Sequence, residues 1–128
     1  MKAIGFKTSY KINNNDSLIE FEINKPQAQE YDIVVKINAV SMNPVDTKVR
    51  AKAAVNIVLE EAKILGYDAV GIIESIGGKV QNLKVGDRVY YAGDITRNGS
   101  NSEYQVVDSR IVAIAPSTLT DVQAAVFP

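Results

Sequence analysis

At 128 residues the chain has room for one domain around one core, and its 46% hydrophobic and 23% charged content excludes disordered and collagen-like classes. A formal net charge of −1, with 14 Lys and Arg scattered rather than massed, argues against a nucleic-acid partner. No apolar run approaches the ~20 residues of a bilayer span and the start lacks a signal-peptide core, so a cytoplasmic protein without a membrane partner is expected.

Short β-branched runs dominate the chain. Strands are predicted over residues 2–6, 18–23, 33–40, 70–76, 88–91, 104–107 and 111–114, with turn chemistry between them. Asn13-Asn14-Asn15-Asp16 reads as a polar turn joining the first two strands as a hairpin, and residues 26–32 as a surface connection. Asn43 before Pro44 fits an N-cap with proline at the first helical position, which predicts a short helix over 45–51. Residues 53–65 have helical composition, with Val55, Val58, Leu59 and Ala62 at spacings of three and four, although β-branched content leaves a strand open for the end of this segment. Glu60, Glu61 and Lys63 would then form its wet face. Gly77-Gly78 and Lys84-Val85-Gly86-Asp87 mark turns, and residues 93–102 form a long polar loop of the kind that borders a ligand cleft. In that loop Arg97 is positioned either to attract a cofactor phosphate or to face solvent. Thr120-Asp121-Val122-Gln123 is a capping box that opens a last helix just before the chain stops at Pro128. The fold class is therefore mainly β, a barrel or sandwich with short helices.

The chain has no cysteine and no histidine. Disulfides, thiolate and imidazole metal sites, and the Ser-His and Cys-His nucleophile pairs are all excluded. The glycines at 71, 77 and 78 do not have the Gly-x-Gly-x-x-Gly spacing of a dinucleotide-binding turn.

Four local motifs follow one another in order: Ile37 to Asp46 (INAVSMNPVD), Gly66-Tyr67-Asp68 with Gly71 and Gly77, Val85-Gly86-Asp87-Arg88-Val89, and Gly99-Ser100-Asn101-Ser102-Glu103-Tyr104. Together they resemble the catalytic domain of the medium-chain dehydrogenase/reductase family, also called the zinc-type alcohol dehydrogenase family. The resemblance implies a chaperonin-10 (GroES)-like, partly open β-barrel over residues 1–119. Residues 120–128 would begin the helix leading to a Rossmann domain absent from this chain. It also implies an NADP(H)-dependent oxidoreductase that transfers hydride between nicotinamide and a carbonyl or quinone substrate, allows a homodimer of the full-length protein, and makes the isolated fragment inactive.

In the zinc-dependent pattern a cysteine stands where this chain has Asn43 and a histidine where it has Tyr67. An amide and a neutral phenol are poor zinc ligands, so no metal is expected. The pattern is closer to the zinc-independent quinone oxidoreductases, in which Asn-x-x-Asp-Thr recurs. Tyr67 and Asn43 are then the candidate catalytic donors to a developing oxyanion. Asp46, Thr47, Arg50, Asp68 and Tyr91 are candidate substrate contacts, with Asp68 and Arg50 as a pocket ion pair, and Asn43 and Thr47 are candidate cofactor contacts. Each also has a structural explanation: Asn43 as a cap, Asp46 as a charge on the helix dipole, Thr47 bonded to a nearby carbonyl, Tyr67 as packing. Tyr90 and Tyr91 alternate across a strand, so one of them faces the core. The alternative functions are a non-enzymatic binding module on the same barrel and a co-chaperonin ring subunit.

Overall fold

In the computed structural model, which describes residues 1–128, the alternating apolar runs pair into two antiparallel sheets. The smaller has β1 (Lys2–Phe6) between β2 (Ile19–Glu22) and β4 (Lys63–Ile64). The larger contains β3 (Asp32–Ser41), β5 (Asp68–Ile76), β6 (Arg88–Ala92), β7 (Tyr104–Asp108) and β8 (Ala113–Ile114), in the spatial order β7-β3-β5-β6-β8. Two short helices, α1 (Pro44–Lys52) and α2 (Asp121–Ala125), complete the fold. This is the expected mainly β, partly open barrel, and no helix is long and apolar enough to cross a membrane.

Period-two alternation explains the core. Ile33 and Val35 from β3, Ala69 and Ile73 from β5, Val89 and Tyr91 from β6, and Val107 from β7 point to one side and are at most 2% exposed. Each such large side chain removed from water contributes roughly 1.5–3 kcal/mol, which fixes the register, because a slip of one residue would turn all of them outward. A second cluster forms where Ala124 and Ala125 of α2 pack on Val70 and Ala115. The Thr120 box forms as read: its hydroxyl accepts from Gln123 N at 3.2 Å while Gln123 Oε1 accepts from Thr120 N at 2.9 Å. Val122 on the outer side of this short helix, and Val126 and Phe127 just past its end, are exposed.

Residues 98–103 lace the two sheets together. On one side Ile4 N donates to Asn101 O (2.9 Å) and Glu103 N to Lys2 O (3.2 Å). On the other, Gly99 N donates to Ile64 O (2.8 Å), Ser100 N to Gly66 O (2.8 Å) and Asn101 N to Leu65 O (2.9 Å). Gly99 is required by this approach, since a Cβ there would fall on the carbonyl oxygens of Leu65 and Gly66. The segment expected to be an exposed loop is thus a seam, with Gly99 and Ser100 buried.

The structure corrects the helix expected over residues 53–65. Beyond Ala53 the chain leaves the helix, Asn56 takes a left-handed φ of 58°, and the backbone bonds to the stretch after β1 instead. Ser9 N donates to Ala54 O (3.0 Å), Thr8 Oγ1 to Ile57 O (2.8 Å) and Leu59 N to Lys7 O (2.8 Å). Only the alternative left open for its end is realised, as β4 pairs Ile64 with Gly5 and Lys63 with Phe6. The expected wet helical face therefore does not exist; the ammonium of Lys63 donates to Ile95 O at 3.1 Å. The strand expected over 111–114 shortens to β8 behind a 3-10 turn, Ser109–Ile111. The 13–16 turn lies, as expected, between β1 and β2, which pair antiparallel.

Candidate functional site

β3 and β5 end side by side, with Ser41 opposite Asp68 in the ladder, and this register decides where the site lies. Two residues beyond Ser41 stands Asn43; one residue before Asp68 stands Tyr67. The two positions separated by 23 intervening residues are thereby brought to one end of the sheet.

Three hydrogen bonds close that end into a ring. The Asn43 side-chain amide donates to Asp68 Oδ2 at 2.8 Å. Asp46, one turn into α1, accepts from Asn43 N through Oδ2 at 2.9 Å and from Gly66 N through Oδ1 at 2.8 Å. Asp46 is 1% exposed, so both of its carboxylate oxygens are spent on backbone donors in a dry setting. It ties the start of α1 to the residue before Tyr67 and so sets the spacing of the two candidate donors. Gly66 has φ 91°, and a Cβ there would come within 2.5 Å of Asn101 Oδ1 and 2.6 Å of Ser100 Oγ, so the seam presses directly on this turn.

Asn43 is the N-cap residue of α1, as the sequence suggested, in a capping box with Asp46, and its amide nitrogen is turned to Asp68. Because a carboxylate accepts only, the NH2 group must face it, which fixes the orientation of the amide. The second N–H has only Ser41 Oγ, at 3.5 Å, and stays nearly free. Tyr67 is 3% exposed, and its hydroxyl is buried with no hydrogen-bond partner. Burial raises its pKa, and the negative charges of Asp46 and Asp94 raise it further, so the phenol keeps its proton. Ser100 Oγ, beside Gly66, is the other buried polar atom without a partner. These are the two buried side-chain polar atoms without a partner, and both belong to the stretch where the seam meets the turn before β5.

The remaining candidates fall elsewhere. Thr47 Oγ1 donates to Pro44 O at 2.8 Å within its own helix, on an exposed face. Arg50 does not meet Asp68; its Nη1 reaches Tyr10 O at 2.7 Å, because α1 carries it toward the 10–12 stretch while Asp68 is engaged by Asn43. Tyr91 is in the core, 2% exposed, with its hydroxyl donating to Gln105 Oε1 at 2.8 Å, so packing takes the place of the expected substrate contact. Arg97 keeps about a third of its side chain in solvent, 36% exposed, while making a bidentate pair with Asp32, at 2.9 and 3.0 Å, that anchors the seam loop to β3. Sequence reading did not single out Ser100 or Ser41. The signal for Ser100 was weak, a serine after a glycine in a loop motif.

A partly open β-barrel of two antiparallel sheets, with a polar end at the β3–α1 junction and the start of β5, is the architecture of a GroES-like domain. Residues 29–117 match the alcohol dehydrogenase GroES-like domain model, and the chain belongs to that family. Over all 128 residues it is 42% identical to a zinc-type alcohol dehydrogenase-like protein of Staphylococcus epidermidis, spanning 37% of that relative's length. It superposes along its whole length, with a TM-score of 0.94 and 42% identity, on 36% of a Rhizobium etli protein assigned as a zinc-dependent alcohol dehydrogenase. Against the quinone oxidoreductase of Escherichia coli in complex with NADPH the TM-score is 0.78, at 25% identity over the whole chain and 37% of that protein.

The family name raises zinc, and the residues present do not fit it. The ring offers one carboxylate already bonded to an amide, a second bonded to two backbone amides, and a phenol. No three His, Cys, Asp or Glu side chains gather anywhere in the structure.

Proposed function

We propose that this chain is the substrate-side domain of a zinc-independent, NADP(H)-linked oxidoreductase that reduces a quinone or an activated enone. The observation that carries the reading is the pair of donors where β3 ends and β5 begins: an amide locked by Asp68 whose second N–H has only a long 3.5 Å contact to Ser41 Oγ, and a buried phenol whose O–H has no partner. Such donors suit a substrate whose carbonyl needs little electrophilic help.

The dinucleotide would be held mainly by a domain beyond this chain and would supply the hydride. On this chain Asn43 and the exposed Thr47 hydroxyl are the polar groups of the first turn of α1 that would meet its nicotinamide end. The free N–H of Asn43 stabilises the oxygen of the substrate as charge develops on it. Tyr67 stays protonated beneath that position and contributes a second dipole aimed at the same charge. Asp46 works through both, as a positioning residue. Exposed Val122 on α2, with Val126 and Phe127 just beyond it, offers an apolar surface for the cofactor-binding domain. In this reading the chain alone binds substrate weakly and does not turn over.

The test joins this chain to the nicotinamide-binding remainder of its S. epidermidis relative and follows NADPH oxidation with benzoquinone and with an enone. Turnover by the joined protein, none by the chain alone and no stoichiometric zinc in either are expected. Tyr67→Phe should lower kcat by about tenfold or more, the effect of losing one oxyanion donor. Turnover by the chain alone would overturn the division of labour, and a folded but inactive fusion would favour a non-enzymatic binding module.

A further inference from the structure

A groove of about 450 Å3 runs along the outer face of α1, lined by Ile12, Thr47, Lys48, Arg50, Ala51 and Lys52. Its charge is uncompensated. None of the seven ion pairs of the molecule includes Lys48, Arg50 or Lys52. The only carboxylate on the helix, Asp46, is buried and committed to Asn43 N and Gly66 N. Asp16, on the turn beyond Ile12, makes no ion pair either.

Helix physics accounts for part of this. Arg50 and Lys52 lie in the last turn of α1, where cations complement the dipole. Lys48 lies outside that turn and stands four residues from Lys52, a like-charge spacing that costs stability. The walls are fixed as well as charged. Arg50 Nη1 bonds to Tyr10 O at 2.7 Å, and Ser9 Oγ accepts from Ala54 N at 2.9 Å, so α1 is fastened to the strand extension that carries Ile12. Ile12, 67% exposed, and Ala51 supply the apolar part of the groove's lining beside its three cations. Its nearer end is Thr47, which lines the groove and stands about one helical turn after Asn43.

We propose that the groove binds the acidic tail of the substrate, a carboxylate or phosphate on an apolar body whose carbonyl end lies at Asn43. The substrate class is thus an amphipathic organic anion, and this inference rests on the oxidoreductase reading above. Lys48 and Lys52 draw the anion in, Ile12 and Ala51 pack the body, and the length of α1 sets how far tail and carbonyl stand apart.

The test titrates the isotope-labelled 128-residue chain with an aryl enone bearing a para-carboxylate, the same enone as its neutral methyl ester, and the para-phosphate. The acid should shift the amides of Thr47, Lys48, Ala51 and Lys52 saturably, and the ester should bind about tenfold more weakly or worse. Lys48→Glu should weaken acid binding by about tenfold with the remaining amide pattern unchanged, and added salt should weaken it in the unmodified chain. The ratio of carboxylate to phosphate affinity identifies which headgroup is preferred. Equal binding of acid and ester, indifference to Lys48→Glu, or shifts away from α1 would overturn the proposal. In the joined enzyme the acid should have the lower KM at similar kcat. Reduction of both without that preference would sink the groove and leave the functional reading standing. Reduction of neither, with the acid still bound at residues 47–52, would sink the oxidoreductase reading and leave an anion site.

Discussion

Two tyrosines separate the core of this barrel from its site. Tyr91 and Tyr67 are 2% and 3% exposed, so apolar burial does not distinguish them. Tyr91 lies among Ile33, Val89 and Val107, and its hydroxyl is satisfied by Gln105, whose amide in turn donates to Asn98 O at 3.3 Å. Tyr67 lies one residue from the start of β5, between the Asp46 strut and the seam, and its hydroxyl has nothing. Among buried side-chain polar atoms the hydroxyl of Tyr91 has its partner, as stability requires, and those of Tyr67 and Ser100 do not.

That contrast can be broken or sharpened by substitution. The largest effect is expected from Asp46→Ala, which leaves the Asn43 and Gly66 amides without acceptors in a buried place and should cost about 3 kcal/mol by urea unfolding. A loss near zero would show that the strut is ornamental. Tyr91→Phe strands Gln105 Oε1 and should cost about 1–2 kcal/mol. Tyr67→Phe strands nothing and removes a buried orphan, so stability should stay level or rise by about 1 kcal/mol, even as the joined enzyme slows. A loss as large as that of Tyr91→Phe would mean that the Tyr67 hydroxyl has a structural partner after all.

A smaller effect concerns alkali. Burial raises the pKa of both phenols above the ordinary value, and Asp46 and Asp94 add to the rise at Tyr67. Above a pH of about 10 the unfolded chain releases protons that the folded chain keeps, so this contribution is whole below that pH and is lost as pH climbs toward the folded values. Urea midpoints measured across this window should fall with pH, and the slope should flatten most in Tyr91→Phe.

Much of the architecture was legible because it rests on local rules. Alternation placed β1, β3, β5, β6 and β7, Asn43-Pro44 placed α1, and Thr120 with Gln123 placed α2. Residues 53–65 were not legible. Their helical composition is real, but the backbone there is claimed by Lys7, Thr8 and Ser9, more than 40 residues upstream, and tertiary bonds outweigh a weak intrinsic preference. The site was half legible for the same reason. Positions 43 and 67 could be paired by resemblance, yet the bond from Asn43 to Asp68 and the bridge from Asp46 to Gly66 depend on a strand register that no local pattern displays. Arg50 and Asp68 illustrate the converse, since opposite charges nearby in a motif were each engaged elsewhere.

The seam at residues 98–103 has a consequence for how the chain reaches this state. Its bonds join Lys2 to Glu103 and Ile64 to Gly99, so the ends of very long loops must meet before either sheet edge is closed. Loop entropy opposes such meetings until other contacts have shortened the distance, which places them late on the folding route. The turn holding Tyr67 is thus fixed by contacts far away in the chain, and a change at Gly99 or Ser100 would reach it without touching any residue of β3 or β5.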